Sequence, residues 1–417
     1  MNPAVKAADR VGWKRQGVAG MVLLLAWPAA RADRWLVEDS VSTRFESNDN
    51  TGLVPGASGR TNTLALSGAL DASRQLENAV TRLKTDASYV TNNGGRATSR
   101  LDGRLALSQS LSDPLNSFNA ALQYAQDFND VVSNADVTQG QGRRRTTGWS
   151  AGWSRALSER LSANTQLASG RTAYGKELAG AVGYTDSSLS AGLSYALIEV
   201  ASLGLQASRS DYRAADRRSN SKTDSVNLSL SGTVSPRTGG SIGVGVYRTS
   251  STETRQRVVC PLEVSLCNAG LVPFELTDQR QDSSRRGLQF NASYRLQIDE
   301  VTDASFAAAR QQVPSGAGTL VRSDTLNLGV NRTLSPTLSG SINYARSRSA
   351  FQDGAVAASP GQSNLSLALS KQLTPDLALQ AGYQRSQSHG SGAGNSARSN
   401  SVSISLQYTG PKIDLSR

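Results

Sequence analysis

One pattern recurs along most of this chain: two stretches of alternating apolar and polar residues, joined by a turn of a few residues. The clearest copies are Asn327–Arg348 and Asn364–Ser386, and weaker ones centre on Leu111–Leu115, Leu157–Leu161 and Val234–Thr238. Side chains alternate between the two faces of a strand, so a period of two predicts strands with one apolar and one polar face. A hairpin repeated many times is typical of a transmembrane β-barrel.

The alternation predicts an all-β fold of about eighteen strands, or sixteen if the phase slip between Val182 and Leu189 hides a miscounted hairpin. The predicted strands are residues 37–47, 62–73, 78–91, 97–111, 116–128, 145–157, 160–171, 187–198, 201–213, 222–234, 239–250, 286–297, 301–312, 322–334, 337–348, 362–373, 376–387 and 399–409. Short connections, such as 112–115, alternate with long ones, such as 129–144 and 251–285. Short turns at one end and long loops at the other are typical of an antiparallel up-and-down outer-membrane barrel with both termini in the periplasm.

The N-terminal segment 1–32 has the three regions of a secretory signal peptide. Basic residues precede an apolar run at Gly17–Ala30, and Ala30-Arg31-Ala32 supplies small residues suited to cleavage. The run is too short for a spanning helix, and no later segment reaches the roughly 18 apolar residues that such a helix needs. We therefore expect a signal peptide at 1–32 and one exported barrel domain at 33–417.

Composition favours a barrel over a large soluble core. A mean hydropathy of −0.36 and 6% aromatic residues suit strands of which one face meets water. Low hydrophobicity is also typical of disordered chains, but the regular alternation argues against disorder. The formal net charge of +11 becomes mild once the basic leader is removed, so we expect no nucleic-acid partner.

Cys260 and Cys267 lie close together in one polar stretch. In an exported chain, two near cysteines without further ligands around them predict a local disulfide and not a metal site. Their segment, 251–285, is long enough to fold inward as a constriction or to lie outside as a lid, and the sequence leaves both arrangements open. If it constricts a pore, its deletion changes the conductance.

Arginine recurs on the apolar phase at the long-loop end of strands that run in either direction. These outer-rim, lipid-facing arginines are Arg145, Arg171, Arg209, Arg248, Arg286, Arg310, Arg346 and Arg385. A soluble β-sandwich also has short alternating strands, but it has no reason to place arginine at one end of every strand. A membrane barrel does, because cations at headgroup level can bind lipid phosphates. We therefore expect lipopolysaccharide as a partner.

The polar phase changes along the chain. In the first four strands it carries ten charged residues, predicted to line a pore: Glu38, Arg44, Glu46, Asp71, Arg82, Lys84, Asp86, Arg100, Asp102 and Arg104. Later strands place mostly Ser, Asn, Gln, Gly and Ala there. A barrel of sixteen to eighteen strands is wide enough for a water-filled channel, and these two walls would tune the passage of solutes. The alternative is that the charges only neutralise each other and hold the wall together.

Candidate catalytic chemistry is sparse. His389 is the sole histidine and lies in a Gly- and Ser-rich loop without a defined partner. Glycine-rich stretches such as Gly390–Gly394 lack the lysine and helix of a phosphate-binding loop. We therefore predict no catalytic residue, metal or cofactor, and a non-enzymatic channel for hydrophilic solutes. A non-conducting structural or adhesive barrel is the alternative, and an outer-membrane hydrolase ranks third.

The stretch Trp35–Leu53 closes a strand on an Asp-Asn-x-x-Leu type of turn. In this it resembles Gram-negative outer-membrane barrels associated with exopolysaccharide and exosortase gene clusters. The resemblance implies an outer-membrane barrel that serves surface polysaccharide export, with polysaccharide export components as partners. Insertion machinery that reads an aromatic residue at the end of the last strand is a further expected partner. This chain departs from that pattern because residues 409–417 follow Tyr408, and Tyr408 is expected to serve in place of the terminal aromatic. The residues after Tyr408 are predicted to form a short periplasmic tail.

Overall fold

A computed structural model describes residues 34–53, 55–56, 59–93, 99–129, 142–176, 181–261, 267, 273–316, 318–351, 361–389 and 396–416. The predicted signal peptide lies outside these residues. The strands are β1 (Arg34–Asn48), β2 (Thr61–Gln75), β3 (Ala79–Asn93), β4 (Ser99–Ser112), β5 (Asn116–Asn129), β6 (Gly142–Ala156), β7 (Leu161–Tyr174), β8 (Tyr184–Ile198), β9 (Ala201–Ala214), β10 (Ser219–Ser235), β11 (Thr238–Val259), β12 (Glu275–Asp299), β13 (Thr302–Pro314), β14 (Leu320–Ser335), β15 (Leu338–Phe351), β16 (Gly361–Thr374), β17 (Leu377–His389), β18 (Ser396–Thr409) and β19 (Ile413–Ser416). Within the described part of the chain, no helix has the length and apolar character needed to cross a membrane.

The described strands form one closed antiparallel barrel. Each strand from β1 to β18 pairs with the next in the sequence, and β18 pairs back to β1, with Ser40 opposite Thr409 and Asn48 opposite Ser401. Closure leaves no open sheet edge, which is the condition for a sheet to stand in a bilayer. The prediction of an eighteen-strand up-and-down barrel is confirmed, and the count of sixteen is excluded.

Large apolar side chains cover the outer face of the barrel. Leu66, Leu101 and Leu288 are 57%, 60% and 69% exposed, and similarly exposed residues recur at every second position around the barrel. A water-soluble sandwich would bury this set between two sheets. An exposed apolar belt on a closed barrel defines a transmembrane β-barrel. The face opposite the belt is the inner face.

The two ends of the barrel differ in the length of their connections. Among the described residues, the turns after β2, β4, β8, β10 and β14 take two or three residues, whereas the connection from β11 to β12 covers 260–274. Short turns follow the even-numbered strands throughout, as predicted from the alternation of connection lengths. We call the two ends the short-turn end and the long-loop end.

Segment 251–285 differs from the long loop predicted there. Residues up to Val259 and from Glu275 onward are paired strand, and the register runs without a break from Thr238–Leu296 to Val259–Glu275. The β12–β13 pairing ends at Phe290. The part of the β11–β12 hairpin nearer the long-loop end therefore extends beyond β13. We call residues 251–285 the ribbon. The sequence predicts a loop at Ser251–Val259 because this polar segment has no apolar face.

The end of the chain also departs from the expectation. A tail after Tyr408 was predicted, but β19 returns to the sheet and pairs with the start of β1, Trp35 opposite Leu415. The Gly410 amide donates to the Asp39 carbonyl at 2.8 Å, and the glycine packs directly against the Asp39 side chain. A side chain at 410 would not fit there, so this glycine permits the bend that separates β18 from β19.

Candidate functional site: the inner wall and the outer rim

The charged residues predicted for the pore share one wall of the barrel. Register places Glu38 opposite Asp71, Asp71 opposite Lys84, and Asp86 opposite Arg104, all on the face away from the apolar belt. Five of the ten are acids and five are bases, so these ten side chains together carry no net charge. We call these ten residues the charged wall.

Ion pairs connect the middle of the charged wall. Arg82 binds Asp71 through two nitrogens, and the Lys84 Nζ lies 3.7 Å from the same carboxylate. Arg82 and Lys84 nevertheless remain 49% and 56% exposed. Near the short-turn end, Lys412 Nζ lies 3.3 Å from Glu38. The charges thus neutralise each other in pairs, and the side chains of Arg82 and Lys84 still face open space.

Two further ion pairs lie on the charged wall near the long-loop end. Arg44 pairs with Glu46 at 2.7 Å, and Arg100 pairs with Asp102 at 3.0 Å. Arg100 is only 13% exposed, and its guanidinium lies over the Phe128 ring at 4.7 Å. Cation–π contact and the ion pair together fix this side chain against the wall.

The inner face of β13–β16 carries amides and hydroxyls. A niche of about 150 Å³ lies between β13 and β16, where Gly329 leaves space that a side chain would close against Ser305 and Asn343. Asn327, Asn364 and Ser366 also line it. The buried Asn364 Oδ1 has no hydrogen-bond partner, so the niche offers an unused acceptor. Amides and hydroxyls can bind and release polar groups without a fixed charge.

Inner-face hydroxyls near the long-loop end are buried. They are Thr172, Ser219, Ser221, Thr223, Thr249, Ser323, Ser347, Ser349, Ser386, Ser399 and Ser401. Several bond to each other across strands, as Thr223 does to Thr249 at 2.9 Å. The inner face of this half is therefore packed, whereas the charged wall is open.

The predicted outer-rim arginines lie on the belt side of their strands. Register places Arg248 beside Arg286 and Arg385 beside Leu365, which belongs to the apolar set. Two acids that the sequence analysis missed also lie in this rim. Asp324 binds Arg310 through 2.6 and 3.0 Å bonds, and Asp224 lies 3.8 Å from Arg209. Their position, one strand away from an arginine on the same phase, was a signal available in the sequence.

The cysteines and the histidine lie away from the inner wall. Cys260 and Cys267 form a disulfide at the tip of the ribbon. His389 ends β17, is exposed, and lies opposite Gly361 and Ser396 in the register. Within the described residues, no group of three His, Cys, Asp or Glu side chains is placed to hold a metal ion.

Structural comparison finds other outer-membrane barrels. The chain is similar to OccK5 (OpdH) of Pseudomonas aeruginosa, with 12% identity, a TM-score of 0.43, and coverage of 91% of this chain and 98% of that one. It is similar to OccAB4 of Acinetobacter baumannii, with 10% identity, a TM-score of 0.46 and coverage of 92% and 99%. It is also similar to the ferric-catecholate import receptor Fiu of E. coli K12, with 9% identity, a TM-score of 0.46, and coverage of 92% of this chain and 82% of that one. No family model matches the chain, and no curated protein matches it in sequence.

Proposed function

We propose that this protein is a non-enzymatic outer-membrane channel through which hydrophilic solutes diffuse. The observation that carries the proposal is the contrast between the two faces of one closed barrel. Outside, residues such as Leu101 and Leu288 present an apolar belt; inside, Arg82 and Lys84 are charged and half exposed. Eighteen strands enclose a bore wide enough for water, and half-exposed ions line a wall only where water reaches them.

Saccharides are the solutes that the inner wall fits best. The charged wall has no net charge and does not select strongly by ionic charge, and the niche at Gly329 presents amide and hydroxyl groups that can bind sugar hydroxyls. Export of a surface polysaccharide, which the resemblance at Trp35–Leu53 implies, is the more specific form of this hypothesis. It requires that long neutral chains pass, and polysaccharide export components would then be partners.

The proposal is tested by swelling of proteoliposomes in neutral sugars of increasing size. A channel gives swelling that is fast for a monosaccharide and slower for longer oligosaccharides, because each must fit the bore. Heat-unfolded protein in the same liposomes is the control. Folded barrel that gives no more swelling than this control contradicts the channel. If swelling stops at a disaccharide, the channel stands and passage of a polysaccharide chain is excluded.

The role of the niche is tested by filling it. Gly329→Leu places a side chain against Ser305 and Asn343, whereas Gly68→Leu adds the same side chain to the outer face, where a Cβ meets nothing within 4 Å. We expect Gly329→Leu to weaken block of the current by oligosaccharides by about threefold, with Gly68→Leu unchanged. Equal block in both variants excludes sugar binding at the niche.

A non-conducting structural barrel is the second candidate, and the packed hydroxyls at the long-loop end favour it. Ser221 and Thr249 are each 1% exposed on the inner face. If packing extends across the whole bore, the lumen is closed. The swelling assay separates the two candidates, because a closed barrel swells no faster than the control.

We further propose that the outer rim binds lipopolysaccharide phosphates. Arg248 and Arg286 are register neighbours of like charge, an arrangement that an anion between them stabilises. Arg310 is already bound to Asp324, so it serves as the comparison. Replacing Arg346 and Arg385 by Gln should lower both lipid retention and thermal stability. Arg310→Gln should lower lipid retention less than this double variant does. Unchanged retention in the double variant contradicts the proposal.

The location follows from the same reasoning. Closed barrels with an apolar belt, short turns and long loops insert in the outer membrane with the short turns facing the periplasm. We propose that the chain reaches it after removal of residues 1–32 and is inserted by the outer-membrane insertion machinery. N-terminal sequencing of protein from the outer-membrane fraction tests both points, and a retained leader contradicts the first.

A further inference from the structure

We propose that the connection from β13 to β14, of which the structure describes residues 315, 316, 318 and 319, forms a strap inside the barrel that limits the bore of the channel at the long-loop end. This inference rests on the proposed channel and names the part of the chain that sets its size limit.

Three hydrogen bonds carry the strap across the barrel. The Gln312 side chain donates to the Tyr247 hydroxyl at 2.7 Å, the Tyr212 hydroxyl donates to the Ser315 carbonyl at 3.3 Å, and the Val182 amide donates to the Gly316 carbonyl at 2.8 Å. β13 pairs only with β12 and β14, yet these partners belong to β11, to β9 and to the segment before β8. The strap and the adjoining end of β13 therefore contact β11, β9 and the segment before β8 without pairing with them as strands.

The strap lies on the inner side. Tyr212 is opposite Asp186 and Ser221 in the register, on the face away from the belt residues Leu203 and Leu205. Its ring packs against Tyr184 at 5.4 Å between centroids. Tyr212, Ala214 and Leu320 form a buried apolar cluster, with Val182 and Tyr184 packed against it. An apolar cluster on the inner face of a barrel that is otherwise polar inside is an anchor for the strap.

The wall beneath the strap is buried. Ser315 is fully buried, and the inner-face hydroxyls of β10 and β11 between its two anchors are at most 8% exposed: Ser219, Ser221, Thr223 and Thr249. Inner-face hydroxyls of β15, β17 and β18 near the long-loop end are buried to a similar degree, so the contacts of the strap and not burial alone define its path. On the opposite side, Arg82 and Lys84 on β3 are half exposed. Water thus reaches the charged wall and not the wall beneath the strap. The open part of the bore lies between the strap and the charged wall.

Small residues let the strap lie flat. Gly318 has a φ of +80°, a conformation that favours glycine, and its amide donates to the Ser315 carbonyl at 3.2 Å to close a turn. Gly287 lacks a side chain where the Tyr247 ring crosses it, so Tyr247 can reach Gln312. Strap and wall are complementary in both shape and hydrogen bonding.

The test compares two shortened loops in planar bilayers. One variant replaces residues 315–319 by an Asn-Gly turn, which removes the strap. The control shortens the ribbon between Pro261 and Pro273, a change outside the strap and its described contacts. Because current scales with the open cross-section, we expect about a twofold or larger rise in single-channel conductance for the first and none for the second. Tyr212→Ala, which removes only the anchor, should give a smaller rise and a noisier current.

Each result decides between the claims. If the strap deletion and Tyr212→Ala both have the wild-type conductance, the proposal that the strap limits the bore is contradicted. The proposal of a channel then still stands. Silence in wild type with current in the deletion means that the strap closes the bore completely, which supports the strap and contradicts a constantly open channel. Silence in every folded variant contradicts the proposed function and the strap together. If the deletion fails to fold, Tyr212→Ala and Gln312→Ala provide the test.

Discussion

The inner faces of β1–β4 and β8–β11 differ in how far they are open to water. On β1–β4, charged side chains face open space and neutralise each other in pairs around residues such as Asp71. On β8–β11, the inner face carries hydroxyls, and the strap covers them. The charged side chains of β1–β4 keep that wall in contact with water. The small side chains of β8–β11 leave space for the strap to pack against the other wall. The difference shows that the bore of a barrel is set by what packs against its wall and not by strand number alone.

The largest expected effect comes from placing the same charge on each wall. Ser221 on β10 is buried beneath the strap, and Ser67 on the inner face of β2 is partly exposed. Ser221→Arg buries an unpaired cation and should destabilise the barrel by about 3 kcal/mol or more, whereas Ser67→Arg should change stability by less than about 1 kcal/mol. Urea unfolding of the barrel in detergent measures both. Equal losses would show that the two walls are equally packed.

A medium effect is expected from crowding the strapped wall by one methyl group. Gly287→Ala places a Cβ against Tyr247 and displaces its bond with Gln312. Overpacking of this kind costs about 1 to 3 kcal/mol, whereas Gly68→Ala adds its methyl to open space on the outer face. Thermal unfolding should separate the two variants. If Gly287→Ala is as stable as Gly68→Ala, the Tyr247 contact does not hold the strap.

A smaller effect in energy is expected from unbalancing the charged wall. Replacing Glu38, Asp71 and Asp86 by their amides leaves two acids and five bases on the wall. The excess of positive charge should shift the anion-to-cation permeability ratio by about threefold toward anions. The reversal potential across a salt gradient measures this ratio. Asp278→Asn on the ribbon is the control for loss of a carboxylate outside the charged wall, and an equal ratio in both variants would mean that ions do not pass along β1–β4.

The smallest effect concerns the turn between β4 and β5, at the short-turn end of the charged wall. The Asp113 carboxylate accepts the backbone amides of Leu115 and Asn116 at 2.8 and 2.7 Å, which lowers the pKa of Asp113 below its ordinary 3.8. A depressed pKa in the folded state means stability that is present above the ordinary pKa and lost as the pH falls through the lower, folded value.

The measurement for this turn is stability at pH 7 and near pH 3 in wild type and Asp113→Asn. Asparagine keeps an oxygen that can accept the same amides but carries no charge. The variant should therefore be slightly less stable than wild type at pH 7, and the difference should shrink at acid pH. A difference that grows as the pH falls contradicts the assignment.

The fold could be predicted from the sequence because the alternation of apolar and polar residues identifies each strand separately. Alternation at Val402–Tyr408 or Leu288–Leu296 needs no information from the rest of the chain. The inner charges could be listed for the same reason, since the phase of each strand follows from its apolar residues. Two features were not predicted: the polar upper strands of the ribbon, which have no apolar phase, and β19, whose alternating Ile413 and Leu415 form too short a run to distinguish from a tail.

The strap could not be predicted, because it depends on contacts between distant parts of the chain. The ribbon drew attention through its length and its cysteines, whereas the connection 313–321 looks like an ordinary loop. One signal was present. The phase slip between Val182 and Leu189 predicts a bulge or a miscounted hairpin, whereas in the structure Val182 precedes β8 and donates its amide to the Gly316 carbonyl of the strap. An apolar residue out of phase beside a strand marked the place where another segment docks.

The most direct test of the central claim is the side-dependent exclusion of neutral polymers from the wild-type channel in a planar bilayer. A water-filled bore narrowed by a strap near the long-loop end should admit larger polymers from the short-turn side than from the long-loop side. A polymer of intermediate size should then lower the conductance only when it is added on the short-turn side. The same size limit from both sides, or no current from folded barrel, would contradict this account.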